Sequence, residues 1–314
     1  MYFCPPMKVY RSLSEIPKIH KPVVTIGTFD GVHEGHKQII ARLKRACQEI
    51  GGESFIFTFH PHPRMVVYPT QKDLKLLTLT DEKLQLLEKA GVDHVLVYPF
   101  TKEFAQLTAK EYVKDILVDG IGVKKLIIGY DHKFGNNREG NIDTLRTFSS
   151  QFDFAVEEIP AHEIDHINVS STRIRKALEQ GDIQTANNFL GYKYFLSGKV
   201  VEGKKLGRQL GYPTANVEVS DVSKLIPGIG VYAATTIVGG QRYKGMMSVG
   251  LNPTTDTDNK LKIEINIFNF DSNIYGQEIT IEFCQRLRNE EKFSSLDELK
   301  KQLALDRENA LAVL

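Results

Sequence analysis

Short apolar runs alternate with helix-type spacing through the first part of the chain. Strand-like runs lie at residues 23–29, 54–59, 94–100, 125–131 and 154–159. Helical spacing follows the first of these runs, at Ile39, Ile40, Leu43, Ala46, Cys47 and Ile50. It recurs at Leu84, Leu87 and Ala90, just before the helix-stopping Gly91. Strand–helix alternation is typical of βαβ units, so we predict a parallel sheet here.

The pattern changes near residue 190. Strand-like runs then follow one another with only turn signals between them, such as Gly239-Gly240. This arrangement predicts an antiparallel sheet or small barrel. The chain ends in a helical stretch with Ser294 or Ser295 as its cap. We therefore predict two domains, residues 1–188 and 189–314.

Composition narrows the function classes. The chain has 314 residues with 41% hydrophobic and 25% charged residues, as expected for a globular protein of two domains. A net charge of +1 gives no basic face for a nucleic acid. Three widely spaced cysteines, without a CxxC pair, favour a reducing compartment, and no apolar run reaches the roughly 18 residues of a membrane span. We expect a cytoplasmic protein without nucleic-acid or membrane partners, and its oligomeric state stays open.

The densest chemistry lies in TIGTFDGVHEGH, residues 25–36, after the first strand and at the start of the first helix. Free N–H groups and the helix dipole favour an anion at that point. Glycines allow a phosphate to approach the backbone, and His33 and His36 lie one helical turn apart. The patterns GxGxxG and GxxxxGK[ST] are absent, so neither a dinucleotide fingerprint nor a standard phosphate loop is predicted.

Three other segments of the first part carry candidate chemistry. SSTRIR, residues 170–175, offers hydroxyl and guanidinium groups for phosphates, although a capped helix with an exposed basic turn explains it equally well. FHPHP, residues 59–63, leaves a strand end, where Phe59 and the prolines would form an apolar wall for a flat ring. GYDHKFGNNREG, residues 129–140, contains Asp131 in a glycine-rich loop.

The HxGH motif with SSTRIR resembles the nucleotidyltransferase superfamily, which by itself leaves the acceptor open among pantetheine phosphate, nicotinamide mononucleotide and glycerol phosphate. In order and spacing, GTFDGVHEGH, FTFHPHP, GYDHKFG and SSTRIR together resemble the FMN adenylyltransferase module of bacterial bifunctional riboflavin kinase/FAD synthetases. The resemblance implies a Rossmann-like α/β domain with a parallel sheet. It also implies direct transfer of an adenylyl group from ATP to FMN.

The resemblance assigns roles in this first domain. His33, His36 and Arg175 would stabilise charge at the reacting phosphates. ATP and its phosphates would be bound by Gly27, Phe29, Asp30, Gly31, Gly35, Asp131, Ser171 and Thr172. The flavin would contact Phe59 and Pro61.

The second part contains GRQLGYPTAN, residues 207–216. Thr214 and Asn216 offer oxygen atoms to a hard cation, but turn chemistry explains the same residues by itself. Together with GVYA (230–233), SVGLNPT (248–254), a strand carrying Glu264 and RLRNEEKF (286–293), the segment resembles riboflavin kinase.

This second resemblance implies a small antiparallel β-barrel with a terminal helix. Glu264 would be the catalytic base, and Thr214 and Asn216 would bind Mg²⁺. Gly207 and Gly211 would approach the ATP phosphates, and Arg286 would contact the flavin.

Three hypotheses follow from these motifs. The first is one enzyme that uses ATP and Mg²⁺ to convert riboflavin to FMN and then FMN to FAD. The second is a monofunctional adenylyltransferase whose barrel only binds flavin, which loss of Glu264 or of PTAN would have favoured. The third is an oligonucleotide-binding barrel, which the near-neutral charge and the absence of a basic–aromatic stripe disfavour.

Overall fold

The computed structural model describes residues 6–70, 74–130, 132–160, 169–203, 206–251 and 261–314. The chain divides into two compact units, Met1–Ser170 and Ser171–Leu314. None of the helices in the described ranges is both long enough and apolar enough to cross a membrane.

The first unit contains a six-stranded parallel sheet. Its strands are β1 (Lys8–Tyr10), β2 (Val23–Ile26), β3 (Ser54–His60), β4 (His94–Pro99), β5 (Lys125–Gly129) and β6 (Ala155–Ile159). They lie in the order β1-β4-β3-β2-β5-β6, and every neighbouring pair is parallel. The parallel sheet expected from strand–helix alternation is confirmed. The edge strand β1 was not predicted, because three residues carry too little periodicity to reveal it.

Helices cover this sheet. They are α1 (Glu34–Ile50), α2 (Pro63–Val67), α3 (Thr80–Lys89), α4 (Lys102–Ala105), α5 (Ala109–Glu111) with its π-helical continuation (Tyr112–Ile121), and α6 (Ile142–Phe152). Short 3₁₀ turns lie at Leu13–Glu15 and Asn136–Arg138. Helix α1 buries Ile40, Leu43, Ala46 and Cys47, as their spacing predicted, and ends where Gly51 adopts φ 64°.

Alternate strand residues face two separate cores. Val24 and Phe57 belong to the core formed with the π-helix, whereas Val23 and Ile56 belong to the core formed with α1. Both faces of the sheet are therefore covered, which is why these strands read as continuous apolar runs.

The second unit combines two helices with a closed antiparallel barrel. The helices that precede the barrel are α7 (Ser171–Glu179) and α8 (Ile183–Leu190). The barrel strands are β7 (Phe195–Val201), β8 (Ala215–Glu218), β9 (Gly230–Val238), β10 (Gln241–Leu251), β11 (Leu261–Ile267) and β12 (Glu278–Arg288). They close into a barrel in the order β10-β11-β8-β7-β12-β9. The small antiparallel barrel implied by the resemblance is confirmed. A short helix α9 (Leu206–Gln209) lies before β8, and α10 (Leu296–Val313) ends the chain, capped by Ser295.

Polar contacts connect α8, and the turn between α7 and α8, to the barrel. The Asn187 amide donates to the carbonyl of Phe283 at 3.0 Å and accepts from the N–H of Tyr194 at 2.7 Å. The Arg286 guanidinium donates to the carbonyl of Gln180 at 3.2 Å. The domain boundary at residues 188/189 stays a prediction, since compactness describes contacts and not independent folding.

Candidate active sites

The first candidate site begins in the turn between β2 and α1. Phe29 and Val32 have φ 48° and 36°, in the left-handed region that non-glycine residues rarely occupy, and Gly31 has φ 84°. Both side chains are 1% exposed, so the strained turn is held by burying them in the core beneath α1. Backbone strain of this kind persists only where the surrounding structure enforces it, and it concentrates at ligand sites.

Asp30 fastens this turn to a distant segment. Its carboxylate accepts from the N–H groups of Leu77 and Thr78 at 3.2 and 3.0 Å, and from the Thr78 hydroxyl at 3.3 Å. The Thr78 hydroxyl oxygen also accepts from the N–H of Gly31 at 2.9 Å. The described contacts make Asp30 the tether of the turn, and the ATP contacts predicted for Asp30 and Gly31 stay predictions.

The two histidines meet at the first turn of α1. His33 is the N-cap, and its Nδ1 accepts from the N–H of His36 at 3.3 Å. Their rings stack with centroids 3.7 Å apart and an interplanar angle of 15°. A Cβ at Gly35 would lie 3.2 Å from the His33 ring, so glycine leaves room for the stack. The structure brings both imidazoles together at a helix N-terminus, as the sequence predicted.

His36 is held neutral. Burial lowers its pKa well below the usual value, and the nearby His33 and Lys83 lower it further. The ring as a whole is only partly buried, but its Nδ1 is enclosed and has no hydrogen-bond partner among the described residues. A neutral imidazole can donate through one nitrogen and accept through the other, so His36 has hydrogen-bonding capacity left for a ligand.

A cleft of about 830 Å³ lies at the carboxyl ends of β2 and β3, within the first unit. Its aromatic wall consists of Phe59, Tyr68, Phe100, Phe104, Tyr112 and Phe134. Its cationic lining residues are Arg64, Lys102, Lys133 and Arg138, and the described lining includes no carboxylate. Phe59 and Pro63 of the FHPHP segment line this cleft, whereas Pro61 does not. The flavin contacts predicted for Phe59 and Pro61 stay predictions.

One wall of the cleft is a strained loop. Asn137 and Arg138 have φ 51° and 60°, and the N–H of Asn136 donates to the carbonyl of Leu107 at 2.7 Å. Gly135 packs so closely on Ala109 that a Cβ would lie 2.9 Å from the Ala109 nitrogen. This anchoring fixes the part of the wall that carries Arg138. Asp131, predicted to bind nucleotide, lies outside the described residues.

The predicted pyrophosphate segment begins α7 in the second unit. Ser171, Thr172 and Arg175 occupy its first two turns, with Thr172 exposed and the other two partly buried. The hydroxyl-bearing residues Ser171 and Thr172 thus lie at the start of a helix, as the sequence predicted.

The second candidate site lies on the outer face of the barrel. Asn216 on β8 pairs with Glu264 on β11, and Glu264 pairs with Ser248 on β10. The neighbouring row of Val217, Ile263 and Val249 is 6%, 3% and 0% exposed and fills the barrel interior. Because side chains alternate along a strand, Asn216 and Glu264 share the opposite face.

The turn that precedes β8 is built by close backbone approach. The N–H of Tyr212 donates to the carbonyl of Gly207 at 2.8 Å, and a Cβ at Gly207 would collide with the Tyr212 carbonyl. Gly211 has φ 84° and open space on its Cβ side. The Asn266 amide, 7% exposed, donates to the carbonyl of Pro213 at 2.6 Å and holds the turn against β11. Thr214 follows directly, partly buried, with its Oγ1 facing the Gly207 backbone.

Glu264 has a basic neighbour. Its Oε1 lies 2.6 Å from the Lys262 ammonium, and both side chains are about one-third exposed, at 28% and 35%. The carboxylate of this ion pair lies beside Asn216, which is 8% exposed. Asn252, Pro253 and Thr254 of the kinase motif lie outside the described residues.

Arg286 has backbone partners. Its guanidinium donates to the carbonyls of Gln180 and Ile229, and Gly181 and Gly230 are so close that a Cβ on either would lie within 2.9 Å of it. The described contacts make Arg286 a clamp between the α7–α8 corner and β9. Its predicted flavin contact stays a prediction.

Sequence reasoning missed several residues of these sites, among them Thr78, Lys83, Lys262 and Asn266. A lysine beside the helical positions Leu84 and Leu87, and polar residues two positions before and after Glu264, were visible signals. The partners of Thr78, Lys83 and Asn266 lie far away along the chain, so their roles had no interpretation without the fold, whereas Lys262 pairs with the nearby Glu264.

Two family models match the chain. The model described as FAD synthetase matches residues 15–173, and the model described as riboflavin kinase matches residues 190–314. Each therefore falls on one of the two candidate sites.

Curated relatives match almost the whole chain. The bifunctional riboflavin kinase/FMN adenylyltransferase of Haemophilus influenzae is 39% identical over 290 residues, covering 92% of this chain and 93% of that protein. The protein of the same name from Pseudomonas fluorescens is 37% identical, covering 96% of each chain.

A solved structure from Streptococcus pneumoniae has a TM-score of 0.87 and 31% identity, covering 97% of this chain and 98% of that chain. It is described as a macrolide-efflux protein, an activity that neither matching family model names. The family models and the curated relatives agree with each other and with both sites, and on that agreement the chain belongs to the bifunctional riboflavin kinase/FMN adenylyltransferase family.

Proposed function

We propose that this chain catalyses two consecutive ATP-dependent reactions, phosphorylation of riboflavin to FMN and adenylylation of FMN to FAD. The observation that carries the proposal is that the FAD synthetase model covers the stacked histidines and the riboflavin kinase model covers the Asn216–Glu264 pair. Each reaction thus has its own cluster of chemically suitable residues. We also propose that both reactions take place in the cytoplasm, and the three widely spaced cysteines support this.

The adenylyl transfer needs no protein nucleophile. An oxygen of the FMN phosphate forms a bond to the α-phosphorus of ATP, and the bond from that phosphorus to the β-phosphate oxygen breaks, releasing pyrophosphate. His33 and His36, at the positive end of α1, stabilise the negative charge that develops on the phosphates. Gly27, Gly31 and Gly35 let the phosphates approach the backbone.

The pyrophosphate-binding roles rest on the resemblance. Ser171, Thr172 and Arg175 bind the leaving pyrophosphate through hydroxyl and guanidinium donors, and Asp131 helps to place the nucleotide. Variants of these residues test the roles directly, because loss of a donor to the leaving group lowers the rate of FAD formation and leaves FMN formation unchanged.

The cleft of the first unit supplies the acceptor site. Aromatic walls suit a flat ring, and a lining with cations but no carboxylates suits a ligand that carries a phosphate. This chemistry favours FMN over unphosphorylated riboflavin as the acceptor. Among the phosphate acceptors left open by the sequence, it also favours a large aromatic one.

The kinase step needs a base. The Glu264 carboxylate accepts the proton of the ribityl 5′-hydroxyl as that oxygen attacks the γ-phosphorus of ATP, and ADP leaves. Gly207 and Gly211 allow the phosphates to approach the turn before β8; the open side of Gly211 provides the space.

The donor set of this site fits Mg²⁺. Thr214 and Asn216 offer neutral oxygens beside the carboxylate of Glu264, and oxygen donors are the ligands that Mg²⁺ prefers. We assign Thr214 and Asn216 as its protein ligands. Bound Mg²⁺ would supply charge neutralisation at the ATP phosphates.

Chromatography tests the proposed function. The protein is incubated with ATP, magnesium and either riboflavin or FMN, and the three flavins are resolved with time. We expect riboflavin to give FMN and then FAD, FMN to give FAD, and EDTA to stop both. FAD formation from FMN without any FMN formation from riboflavin would instead support a monofunctional adenylyltransferase.

A further inference from the structure

Lys83 on α3 is a buried lysine that no motif contains. Its side chain is 6% exposed, and its ammonium donates to three acceptors: the Thr28 carbonyl at 3.2 Å, the Thr58 hydroxyl at 2.9 Å and the Phe59 carbonyl at 3.5 Å. Lysine is almost never fully buried unless its charge is accommodated. Packing alone therefore does not account for it.

The three acceptors belong to the two segments that build the first site. Thr28 directly precedes the strained turn, and Phe59 lines the flavin cleft. The paired register of β2 and β3 ends at Ile26 and Phe57. Beyond that point the Thr58 hydroxyl donates to the Thr28 carbonyl at 3.1 Å. The Lys83 ammonium thus links the two segments beyond the last paired residues of β2 and β3.

The same ammonium carries charge into the site. No carboxylate of the described residues forms an ion pair with it, although Asp30 attracts it and Arg11 repels it. Burial lowers its pKa to about 8, so it is mostly cationic at neutral pH. Its charge reaches His36, whose pKa it helps to lower. Charges act over longer distances where water is excluded.

We propose that Lys83 is a positioning residue for adenylyl transfer, which sets the spacing between the histidine turn and the flavin cleft and holds a positive charge near His36. This inference rests on the proposed FMN adenylylation. A purely structural lysine would also join the two segments, but its charge would have no effect on the reaction.

Matched variants separate these two roles. Lys83→Met keeps the alkyl chain and removes both charge and donors, whereas Thr58→Val removes one acceptor and keeps the charge. As a control, Lys44→Met removes an exposed lysine that donates to the Ala90 carbonyl. We expect Lys83→Met to lower kcat/KM of FAD formation by about tenfold or more. Thr58→Val should stay within about threefold of wild type. Riboflavin phosphorylation, measured on the same preparations, should stay unchanged throughout.

A pH profile of the wild type tests the charge without any variant. Charged or titratable groups near Lys83 include Asp30, Glu82, Arg11, His36 and His60, and the pKa of His36 is lowered, farther from pH 8. Since kcat/KM reports the free enzyme, it should fall for FAD formation as pH rises through about 8. The Lys83→Met enzyme should lack this fall.

Three results decide the matter. A wild-type profile that is flat from pH 7 to 9.5 overturns the proposal even if Lys83→Met does not fold. So does a folded Lys83→Met enzyme that makes FAD at the wild-type rate. A wild-type enzyme that makes no FAD from FMN and ATP refutes the proposed function instead.

Discussion

The two sites are built in different ways. The histidine site lies at the edge of a covered sheet and depends on buried tethers, Asp30 to Thr78 and Lys83 to Thr58. The Glu264 site lies on the outer face of a barrel and depends on strand register, with its carboxylate at the surface. Replacing a tethering residue should therefore change stability and activity together, whereas replacing Glu264 itself should change activity alone.

The largest expected effect belongs to the Glu264 site. Glu264→Gln preserves shape but cannot accept a proton, so riboflavin phosphorylation should fall by roughly 10²–10⁴-fold. Flavin and ATP affinity should change much less, since the lost interaction belongs mainly to the transition state. The measurement is the rate of FMN formation beside the rate of FAD formation from FMN on one preparation. An equal loss of both would point to misfolding, and an unchanged kinase rate would remove Glu264 from the mechanism.

A substitution in the histidine site provides the corresponding test. His36→Ala should reduce FAD formation by about 10²–10³-fold while FMN still accumulates. Unlike Glu264→Gln, it should also lower the melting temperature, because the stacked and buried ring is lost. His20→Ala, at an exposed position, serves as the control. If His36→Ala kept the wild-type melting temperature, the contrast between the two sites would be lost.

The second unit's independence can be sharpened with two fragments. Residues 171–314 retain α7 and α8, whereas residues 190–314 remove Ile183 and Ala186, which are 1% and 0% exposed, and the Asn187 hydrogen bonds. A buried isoleucine side chain contributes about 1.5–3 kcal/mol, and the single methyl group of an alanine contributes about 0.8 kcal/mol. We expect both fragments to phosphorylate riboflavin, with the shorter one less stable by about 3 kcal/mol or more in urea unfolding. Equal stabilities would support the predicted boundary at 188/189 over the compact unit that begins at Ser171.

The smallest effect concerns Asn266, which positions the metal-binding turn. Asn266→Ala leaves the Pro213 carbonyl without its donor, at a cost of about 1–3 kcal/mol. Because the turn carries Thr214, the KM for Mg·ATP should rise about threefold to tenfold, and FAD formation should not change. Steady-state kinetics with varied Mg·ATP measures this. A change in kcat alone would argue against a positioning role.

Acid stability depends on the buried histidine. The pKa of His36 is lowered in the folded protein, so between that value and the ordinary value near 6.5 only the unfolded chain binds the proton. The free energy of unfolding should therefore decrease as pH falls below about 6.5. The His36→Ala protein should lose less stability over the same range in urea titrations. A steeper loss in the variant would contradict the assignment.

The sequence by itself determined the local features. Strand–helix alternation identified the parallel sheet, turn-separated strands identified an antiparallel sheet or small barrel, and the histidine spacing identified the helix N-terminus where both rings meet. These features were predictable because each depends on residues within a few positions of one another.

Only the tertiary structure decided which distant residues meet. Asp30 accepts from Thr78, Lys83 donates to Thr58, and Asn266 donates to the carbonyl of Pro213. The role of Arg286 as a clamp on backbone carbonyls was likewise invisible in its motif. Such partners are selected by the packing of whole strands and helices, since a buried donor or acceptor must find its partner in whatever segment lies beside it. No local pattern contains that information.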